Sequence, residues 1–356
     1  MAIVRTILVT GGCGFIGSSV CRSLCEDPQT RIVNVDSLTY AGNPDSVKVL
    51  EGKPNYRFVK ADICDRPMIE GLFREENVTG VLNLAAESHV DRSIMGADEF
   101  VRTNVNGAFA MLEAARAYWN SLSDERRETF RFVQISTDEV YGTLGLADPA
   151  FTEETPYRPN SPYAASKAAA DHLALAWHET YGLPVIVTNC SNNYGPYHFP
   201  EKLIPLVILN CLEGKELPVY GSGANIRDWL FVEDHVSALD AVLRRGFVGE
   251  KYNIGGEAER TNLDVVRTIC SLLDDIQPRP DSRTYADQIV FVKDRPGHDF
   301  RYAMNTDHIR AKLGWKPSTT FEEGLDATVR WYLANEWWWR PIREKKYAGQ
   351  RLGLLA

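Results

Sequence analysis

Short apolar runs alternate with longer amphipathic stretches through the first two-thirds of the 356-residue chain. The runs are rich in Val, Ile and Leu and nearly continuous, which is typical of parallel strands covered on both faces. This order predicts a doubly wound α/β sheet built from strand–helix–strand units. The predicted strands are Thr6–Val9, Ile32–Val35, Tyr56–Lys60, Gly80–Leu84, Phe130–Ile135 and Val185–Asn189, and the predicted helices between them are Ile16–Glu26, Arg66–Glu76, Phe100–Trp119 and Pro162–Tyr181.

The pattern changes after about residue 190, where Pro and Gly separate shorter pieces and residues 192–197 have the composition of a loop. Four later stretches have helical spacing: Leu203–Leu212, Val232–Arg244, Asn262–Leu273 and Phe321–Ala334. They predict a smaller, mixed α/β C-terminal domain. Because the chain is too long for one ordinary core, we expect two domains with a cleft between them. The first domain is assigned residues 1–190 and a return segment at about 226–254, and the second is assigned about 191–225 and 255–356.

Three adjacent tryptophans, Trp337, Trp338 and Trp339, stand near the end of the chain. An apolar group of this size packs either against a partner subunit or against the domain to which it belongs. The sequence leaves both interpretations open.

Composition narrows the possible functions. The chain is 44% hydrophobic and 24% charged, as soluble globular proteins are, and no apolar run approaches the ~20 residues that span a bilayer. The first apolar stretch predicts a buried strand rather than a signal peptide, so we expect a cytoplasmic protein. Seven scattered cysteines favour reduced thiols, and seven histidines without ligand spacing predict no metal. A net charge of −9 argues against nucleic acid as the main partner, so an anionic ligand would need local basic residues.

A glycine-rich turn follows the first predicted strand and begins the first predicted helix. Gly11, Gly14 and Gly17 allow a tight turn and let a pyrophosphate approach backbone amides at a helix N-terminus. Asp36 ends the second strand, 19 residues after Gly17, where its carboxylate can bind an adenosine ribose and would repel a 2′-phosphate. This spacing predicts a dinucleotide site that favours NAD over NADP. Asp62 follows the third strand, where its side chain by itself can cap a helix.

A Tyr-Lys pair stands at the start of a predicted helix, with Ser161 as the N-cap and Pro162 at the first helical position. Tyr163 and Lys167 are four residues apart and therefore project from one helix face. A tyrosine with a pKa near 10 acts as a base at neutral pH only when cations stabilise its phenolate. Lys167 and the positive charge of a nicotinamide would be these cations. The alternative, a surface Tyr and Lys, is disfavoured by the glycine turn and Asp36.

Two adjacent carboxylates follow the fifth strand in the segment Thr137-Asp138-Glu139. Two carboxylates can divide the work of a dehydration, which needs one group that protonates a leaving hydroxyl and another that removes a proton from the neighbouring carbon. Successive strand residues point to opposite faces, so both carboxylates can reach one substrate only if the chain turns at once. The segment 140–142 permits that turn. The sequence alone leaves open which carboxylate is the acid.

Together these motifs resemble the extended short-chain dehydrogenase/reductase family. The segments 38–43, 85–93, 136–139 and 189–196 resemble its nucleotide-sugar 4,6-dehydratases in particular. The resemblance implies a Rossmann-like NAD domain, a nucleotide sugar under the second domain, and a homodimer formed through Phe100–Trp119 and the Tyr163 helix. It favours dTDP-glucose as substrate, with UDP-glucose as the alternative. A nucleotide-sugar 4-epimerase and a noncatalytic NAD-binding sensor or scaffold are the rival interpretations.

The resemblance also implies residue roles. Asp138 is the acid, Glu139 is the base, and Tyr163 takes the proton of the sugar 4-hydroxyl. Thr137 orients the substrate and Lys167 holds the nicotinamide ribose. The implied cofactor residues are Gly11, Gly14, Phe15, Ile16, Gly17, Asp36, Leu38, Thr39, Asp62, Ile63, Leu84, Ala85, Ala86, Tyr163 and Lys167. The implied substrate residues are Ser88, Thr137, Asn192, Glu201, Lys202, Leu203, Pro218, Tyr220, Arg227, Asn262, Arg295 and His298, of which Arg227 and Arg295 stand in loop-like segments and resemble diphosphate contacts.

Overall fold

A seven-stranded parallel sheet forms the centre of the computed structural model, which describes residues 4–294 and 297–347. The strands of the chain are β1 (Arg5–Thr10), β2 (Thr30–Asp36), β3 (Tyr56–Lys60), β4 (Gly80–Asn83), β5 (Arg131–Thr137), β6 (Val185–Cys190), β7 (Asn192–Tyr194), β8 (Leu217–Tyr220), β9 (Ile226–Phe231), β10 (Lys251–Ile254), β11 (Glu259–Thr261) and β12 (Ile289–Val292). The central sheet has the order β10-β6-β5-β4-β1-β2-β3. The predicted doubly wound α/β class is therefore confirmed, and the six predicted strands differ from the observed ones by at most two residues at either end.

Helices cover both faces of this sheet. The helices are α1 (Phe15–Leu24), α2 (Arg66–Glu75), α3 (Val90–Met95), α4 (Asp98–Phe100), α5 (Ala108–Asn120), α6 (Asp124–Thr129), α7 (Pro162–Tyr181), α8 (Leu203–Leu212), α9 (Val232–Arg245), α10 (Asn262–Ile276), α11 (Asp307–Leu313), α12 (Phe321–Ala334) and α13 (Glu336–Lys345). Successive residues of β1 belong to two different apolar cores. Ile7 packs with residues of α1 and α9, and Leu8 packs with residues of α2, α5 and α7. Burial on both faces explains why these strands are continuously apolar.

A second lobe is built around another apolar core, to which α8, α10, α12 and α13 contribute. Two small sheets accompany it, with the strand orders β11-β9-β7 and β12-β8. Two predictions about this region are wrong. Residues 192–194, predicted as loop, form β7, and Arg227 lies on β9 rather than in a loop. Both strands are fixed by pairing with each other, which local composition does not reveal.

The predicted domain boundaries stay a prediction. In the return segment at 226–254, β9 joins the three-stranded sheet, α9 packs against α1, and β10 pairs with β6 in the central sheet. The chain thus passes from the second lobe back to the central sheet within this segment.

The long helix predicted at Phe100–Trp119 is interrupted by a π-helical turn at Val101–Gly107. The buried Asn104 lies in this turn, where its side chain bonds both the N–H and the carbonyl of Glu87. It also donates to the Ser166 hydroxyl at 2.8 Å. The wider turn therefore connects the loop after β4 to α7, and π-turns are frequent at functional sites.

The three adjacent tryptophans lie on α13. Trp338 and Trp339 are buried in the core of the second lobe, whereas Trp337 is 49% exposed. Of the two interpretations, the structure therefore shows packing on the same chain for Trp338 and Trp339, two of the three tryptophans.

Within the described residues, no helix is long and apolar enough to cross a membrane. All seven cysteines lie in this part of the chain and carry free thiols.

Candidate active site

A cleft of about 410 Å³ lies at the carboxyl ends of the central strands and extends to the second lobe. It includes the crevice between β1 and β4, where chain order reverses and where ligands bind in open α/β sheets. The predicted site residues that line it are Gly11, Gly14, Phe15, Ile16, Gly17, Asp36, Thr39, Asp62, Ile63, Leu84, Ala85, Ala86, Ser88, Thr137, Asp138, Glu139, Tyr163, Lys167, Asn192, Glu201, Lys202 and Leu203. The structure therefore brings the predicted catalytic residues, the predicted cofactor residues except Leu38, and part of the predicted substrate set into one cleft.

The glycine-rich turn leaves room at the start of α1. Gly11 has φ +68°, and a Cβ there would lie 2.9 Å from the Ala85 backbone. A Cβ on Gly17 would collide with the Gly11 carbonyl oxygen. Gly14 is the N-cap and supplies no side-chain cap to α1. The turn thus fits a pyrophosphate held by the backbone amides of a helix N-terminus.

Asp36 is held in place beside this turn. Its Oδ2 accepts the Cys13 N–H at 2.9 Å and its Oδ1 accepts the Leu38 N–H at 2.7 Å. The second bond holds Leu38 at φ 58°, although Leu38 is not among the cleft-lining residues. Burial raises the pKa of Asp36, and the two N–H donors oppose that rise. A carboxylate has further lone pairs, so the arrangement fits a ribose with free hydroxyls.

We expect Asp36→Ala to weaken NAD binding by about 1.5 to 3 kcal/mol, because a charged acceptor of ribose hydroxyls is lost. The preference for NAD over NADP should fall with it, since the 2′-phosphate no longer meets a carboxylate. Titration of both nucleotides into cofactor-free protein measures the two affinities. Asp36→Asn, which keeps the size and one acceptor oxygen, is the control. Tighter binding of NADP than of NAD by the unmodified protein would contradict this role.

Asp62 does not cap α2, because Asp65 is the N-cap and accepts the Met68 N–H at 3.2 Å. The Asp62 carboxylate instead accepts the Cys64 N–H at 2.9 Å and forms an ion pair with Arg102. Both side chains of that pair line the cleft. The helix-cap alternative is therefore wrong, while the implied contact of Asp62 with the cofactor stays a prediction.

The two carboxylates follow β5 directly. The chain turns after Thr137 into a 3-10 helix at Asp138–Tyr141, so the required turn is present. Thr137 Oγ1 starts it by accepting the Glu139 N–H at 3.3 Å. Asp138 is 1% exposed, and among the described residues its Oδ2 has no hydrogen-bond partner. Burial and then the Glu139 charge raise the pKa of Asp138 well above its ordinary value. Asp138 is therefore suited to carry a proton.

Tyr163 and Lys167 lie on α7, whose N-cap Ser161 accepts the Ala164 N–H at 3.1 Å as predicted. Burial and then the Glu139 charge raise the pKa of Tyr163 well above its ordinary value. Lys167 is also buried, and its Nζ donates to the Ile135 carbonyl at 2.6 Å. Burial lowers the pKa of Lys167. Tyr163 thus needs a nearby cation before it can lose its proton at neutral pH.

Asp171, one helical turn after Lys167, was not predicted as a site residue. Its Oδ2 accepts the Ser136 hydroxyl at 2.6 Å and the Tyr157 hydroxyl at 3.1 Å. Asp171 is fully buried, and these bonds join α7 to the end of β5. The four-residue spacing from Lys167 was the sequence signal that could have identified it.

Several residues predicted to bind the substrate contact residues of other loops in the cleft. Lys202 Nζ donates to the Ser88 carbonyl at 2.9 Å, which brings two predicted residues together. Glu201 accepts the Tyr40 hydroxyl at 2.8 Å and pairs with Arg92 at 3.1 Å. Asn192 and Trp229 also line this cleft, and the buried atoms Asn192 Oδ1 and Trp229 Nε1 have no partner among the described residues. They are polar groups available to a ligand.

The other predicted substrate residues form a second group outside the cleft lining. Arg227 is buried, donates to the Asp299 carbonyl at 2.9 Å, and places its guanidinium 4.3 Å from the Tyr302 ring centre. It shares a face of β9 with Trp229, two residues on, so it lies on the side of the cleft. Pro218 and Tyr220 are on β8, Asn262 begins α10, and His298 lies 6.0 Å from the Tyr220 ring. Arg295 lies outside the described residues.

Known proteins resemble this chain over nearly its whole length. Residues 8–328 match the model of the family described as GDP-mannose 4,6 dehydratase, and the chain belongs to that family. It is 58% identical to the probable dTDP-glucose 4,6-dehydratase of Sinorhizobium fredii, over 98% of this chain and 99% of the relative. It is 57% identical to the dTDP-glucose 4,6-dehydratase of Neisseria meningitidis, with the same shares covered.

Solved structures have the same fold. The dTDP-glucose 4,6-dehydratase of Bacillus anthracis in complex with NAD has a TM-score of 0.84 and 48% identity, over 95% of this chain and 100% of that one. The UDP-glucose 4-epimerase of Thermus thermophilus in complex with NAD has a TM-score of 0.81 but only 27% identity, over 93% of this chain and 100% of that one. The fold is shared by both activities, whereas sequence identity is far higher to the dehydratases.

Proposed function

We propose that this chain is an NAD-dependent hydro-lyase that converts dTDP-glucose to dTDP-4-keto-6-deoxyglucose. The observation that carries the proposal is the position of Asp138 and Glu139, which share one cleft with Tyr163, Lys167 and the glycine-rich turn. An epimerase would have no use for the two carboxylates. The names of the relatives support dTDP-glucose over UDP-glucose.

Each residue acts at a defined atom of the sugar. Tyr163 takes the proton of the 4-hydroxyl, and Thr137 orients that hydroxyl. NAD, when bound, accepts a hydride from C4 and returns it to C6. The C4 ketone acidifies the C5 hydrogen, so Glu139 can remove it as Asp138 protonates the departing 6-hydroxyl. Lys167 holds the nicotinamide ribose and, with the nicotinamide charge, favours loss of the Tyr163 proton.

The diphosphate is proposed to bind Arg227 and Arg295, whose planar guanidinium groups suit paired phosphate oxygens. Ser88, Asn192, Glu201, Lys202, Leu203, Asn262 and His298 complete the sugar-nucleotide site, with Pro218 and Tyr220 beside the base. In this arrangement the central-sheet domain holds NAD and the second domain holds the nucleotide sugar.

We further propose a cytoplasmic homodimer. Apolar side chains near and on α5 and α7 support this interface, since Val101 is 50%, Phe109 43% and Tyr181 46% exposed. Phe109 packs on Trp177 with 5.8 Å between the ring centres, so the two helices present a joint aromatic surface.

Isotopic labelling tests the reaction. With deuterium at C4 of dTDP-glucose, the label should appear at C6 of the product, and in heavy water C5 should gain solvent deuterium. Product analysis by NMR and mass spectrometry measures both. UDP-glucose is the comparison substrate and should turn over more slowly. A 4-epimer as product, or loss of the C4 deuterium to water, would overturn the proposal.

A further inference from the structure

The segment after β2, residues 37–46, consists of a loop and the first residues of a 3-10 helix (Pro44–Leu50). This segment, called the 37–46 loop below, forms part of the wall of the NAD side of the cleft. Its residues Ser37, Thr39, Ala41 and Gly42 line the cleft. The Asn43 N–H donates to the Cys13 carbonyl at 2.9 Å, so the loop is joined to the glycine-rich turn. A Cβ on Gly42 would lie 3.0 Å from Asp36 Oδ1. A displacement of this loop would therefore open the site at Asp36.

The C-terminal helix α13 and the residue that follows it contact this loop. Lys346 Nζ donates to the Gly42 carbonyl at 3.1 Å. The Trp338 indole N–H donates to the Ser46 hydroxyl at 3.1 Å, and Trp338 is only 1% exposed. Both bonds join the NAD side of the cleft to α13 and its C-terminal end, near the end of the described residues.

The same helix is fixed to the second lobe. Arg343 is 5% exposed and donates to Asn210 Oδ1 on α8 at 2.8 Å. It also pairs with Glu213 just after α8. The Trp339 indole N–H donates to the Tyr332 carbonyl on α12 at 2.8 Å. The helix is thus a rigid support from which Trp338 and Lys346 reach the loop.

Ser46 is held from the opposite side by α1. Arg22 Nη1 donates to the Ser46 carbonyl at 2.6 Å, and the Arg22 guanidinium lies 4.1 Å from the Tyr197 ring centre. Tyr197 in turn packs on Trp338 with 5.4 Å between the ring centres. Lys346 also acts on Asp36: burial raises the pKa of that carboxyl, and the positive charge of Lys346 opposes the rise.

We propose that α13 acts as a cofactor-retaining element: Trp338 and Lys346 hold the 37–46 loop closed beside Asp36 and thereby slow the release of NAD. Neither residue touches the reacting atoms, so both are positioning residues. The inference rests on the proposed binding of NAD and deepens it. A catalyst that regenerates its cofactor in every cycle gains from such retention, because the loss of NAD between cycles would stop turnover.

The test compares NAD release from four variants of the full chain. Trp338→Phe keeps a smaller aromatic ring and removes the bond to Ser46, while Lys346→Met removes the bond to Gly42 and the charge. Each should speed NAD release by about 2- to 10-fold, the scale of one lost hydrogen bond. The matched controls are Trp337→Phe and Lys345→Met. The wild-type Trp337 indole is exposed and donates to Asn335, and Lys345 is exposed. NAD remaining on the protein after rapid dilution is measured over time, together with dTDP affinity by calorimetry.

Faster NAD release in Trp338→Phe and Lys346→Met, with unchanged dTDP affinity and wild-type release in the controls, is the expected result. Release at the wild-type rate in both test variants would overturn the inference and leave the proposed function intact. An equal loss of dTDP affinity would also overturn it, because the helix would then support the whole second lobe. A wild-type protein that does not bind NAD would instead overturn the proposed function.

Discussion

Glu139→Gln should bind NAD and dTDP-glucose but lose about 10²- to 10⁴-fold in turnover, the scale of one general base. The amide fills the same space yet cannot take the C5 proton. In the proposed mechanism, Tyr163 removes the 4-hydroxyl proton before that step, so oxidation at C4 should still occur. Reduced nicotinamide should therefore accumulate after substrate is mixed with the variant, and its absorbance in a single-turnover experiment measures this.

The exposed Glu154 provides the control, since Glu154→Gln makes the same chemical change away from the cleft. That variant should turn over at the wild-type rate. Full activity in Glu139→Gln would leave dehydration possible but would assign the C5 proton to another base.

Asp138→Asn should show the complementary defect, again about 10²- to 10⁴-fold in turnover. Burial and the Glu139 charge raise the pKa of Asp138 and so favour its protonated form, whereas the amide has no acidic proton to give to the 6-hydroxyl. Glu139 remains able to remove the C5 proton. In heavy water, the recovered substrate and the 4-keto intermediate that has not lost water should therefore gain C5 deuterium in Asp138→Asn but not in Glu139→Gln. The opposite labelling pattern would reverse the assigned roles.

The central sheet was predictable because its strands are buried on both faces. Val9 and Val33 are fully buried on opposite faces of the sheet, and such positions produce continuous apolar runs that need no knowledge of the partners. The short strands β7 and β11 carry no such pattern. Each pairs with β9, from which β7 is separated by more than 30 residues, so only the folded chain defines them.

The site was predictable where chemistry and spacing occur together in the chain. The glycine turn, Asp36, the Tyr163-Lys167 pair and the two carboxylates are local motifs, and all of them line the cleft. Asn104 is ordinary in sequence, and the spacing of Asp171 from Lys167 indicates only a shared helix face. Both acquire their contacts through distant partners, Glu87 and Ser136 respectively. The contacts of Lys346 and Trp338 with the 37–46 loop join residues about 300 positions apart, and no local pattern marks them.

Tyr163→Phe should stop the reaction one step earlier than the carboxylate variants. The ring and its edge contact with Phe100, at 6.4 Å between the ring centres, are kept, so folding should be preserved. Without the hydroxyl no group takes the 4-hydroxyl proton, and turnover should fall by about 10²- to 10⁴-fold. No reduced nicotinamide should form when substrate is added, in contrast to Glu139→Gln. Tyr181→Phe, at the exposed end of the same helix, is the control.

The pH dependence of C4 oxidation should link Tyr163 with Glu139. Burial and then the negative charge of Glu139 raise the pKa of Tyr163, so removing that charge should lower the pKa. In Glu139→Gln the rate of nicotinamide reduction should therefore reach its maximum at a lower pH than in the wild-type enzyme. Stopped-flow measurements across a pH series test this directly. An unchanged profile, or substantial nicotinamide reduction in Tyr163→Phe, would show that another group removes the 4-hydroxyl proton.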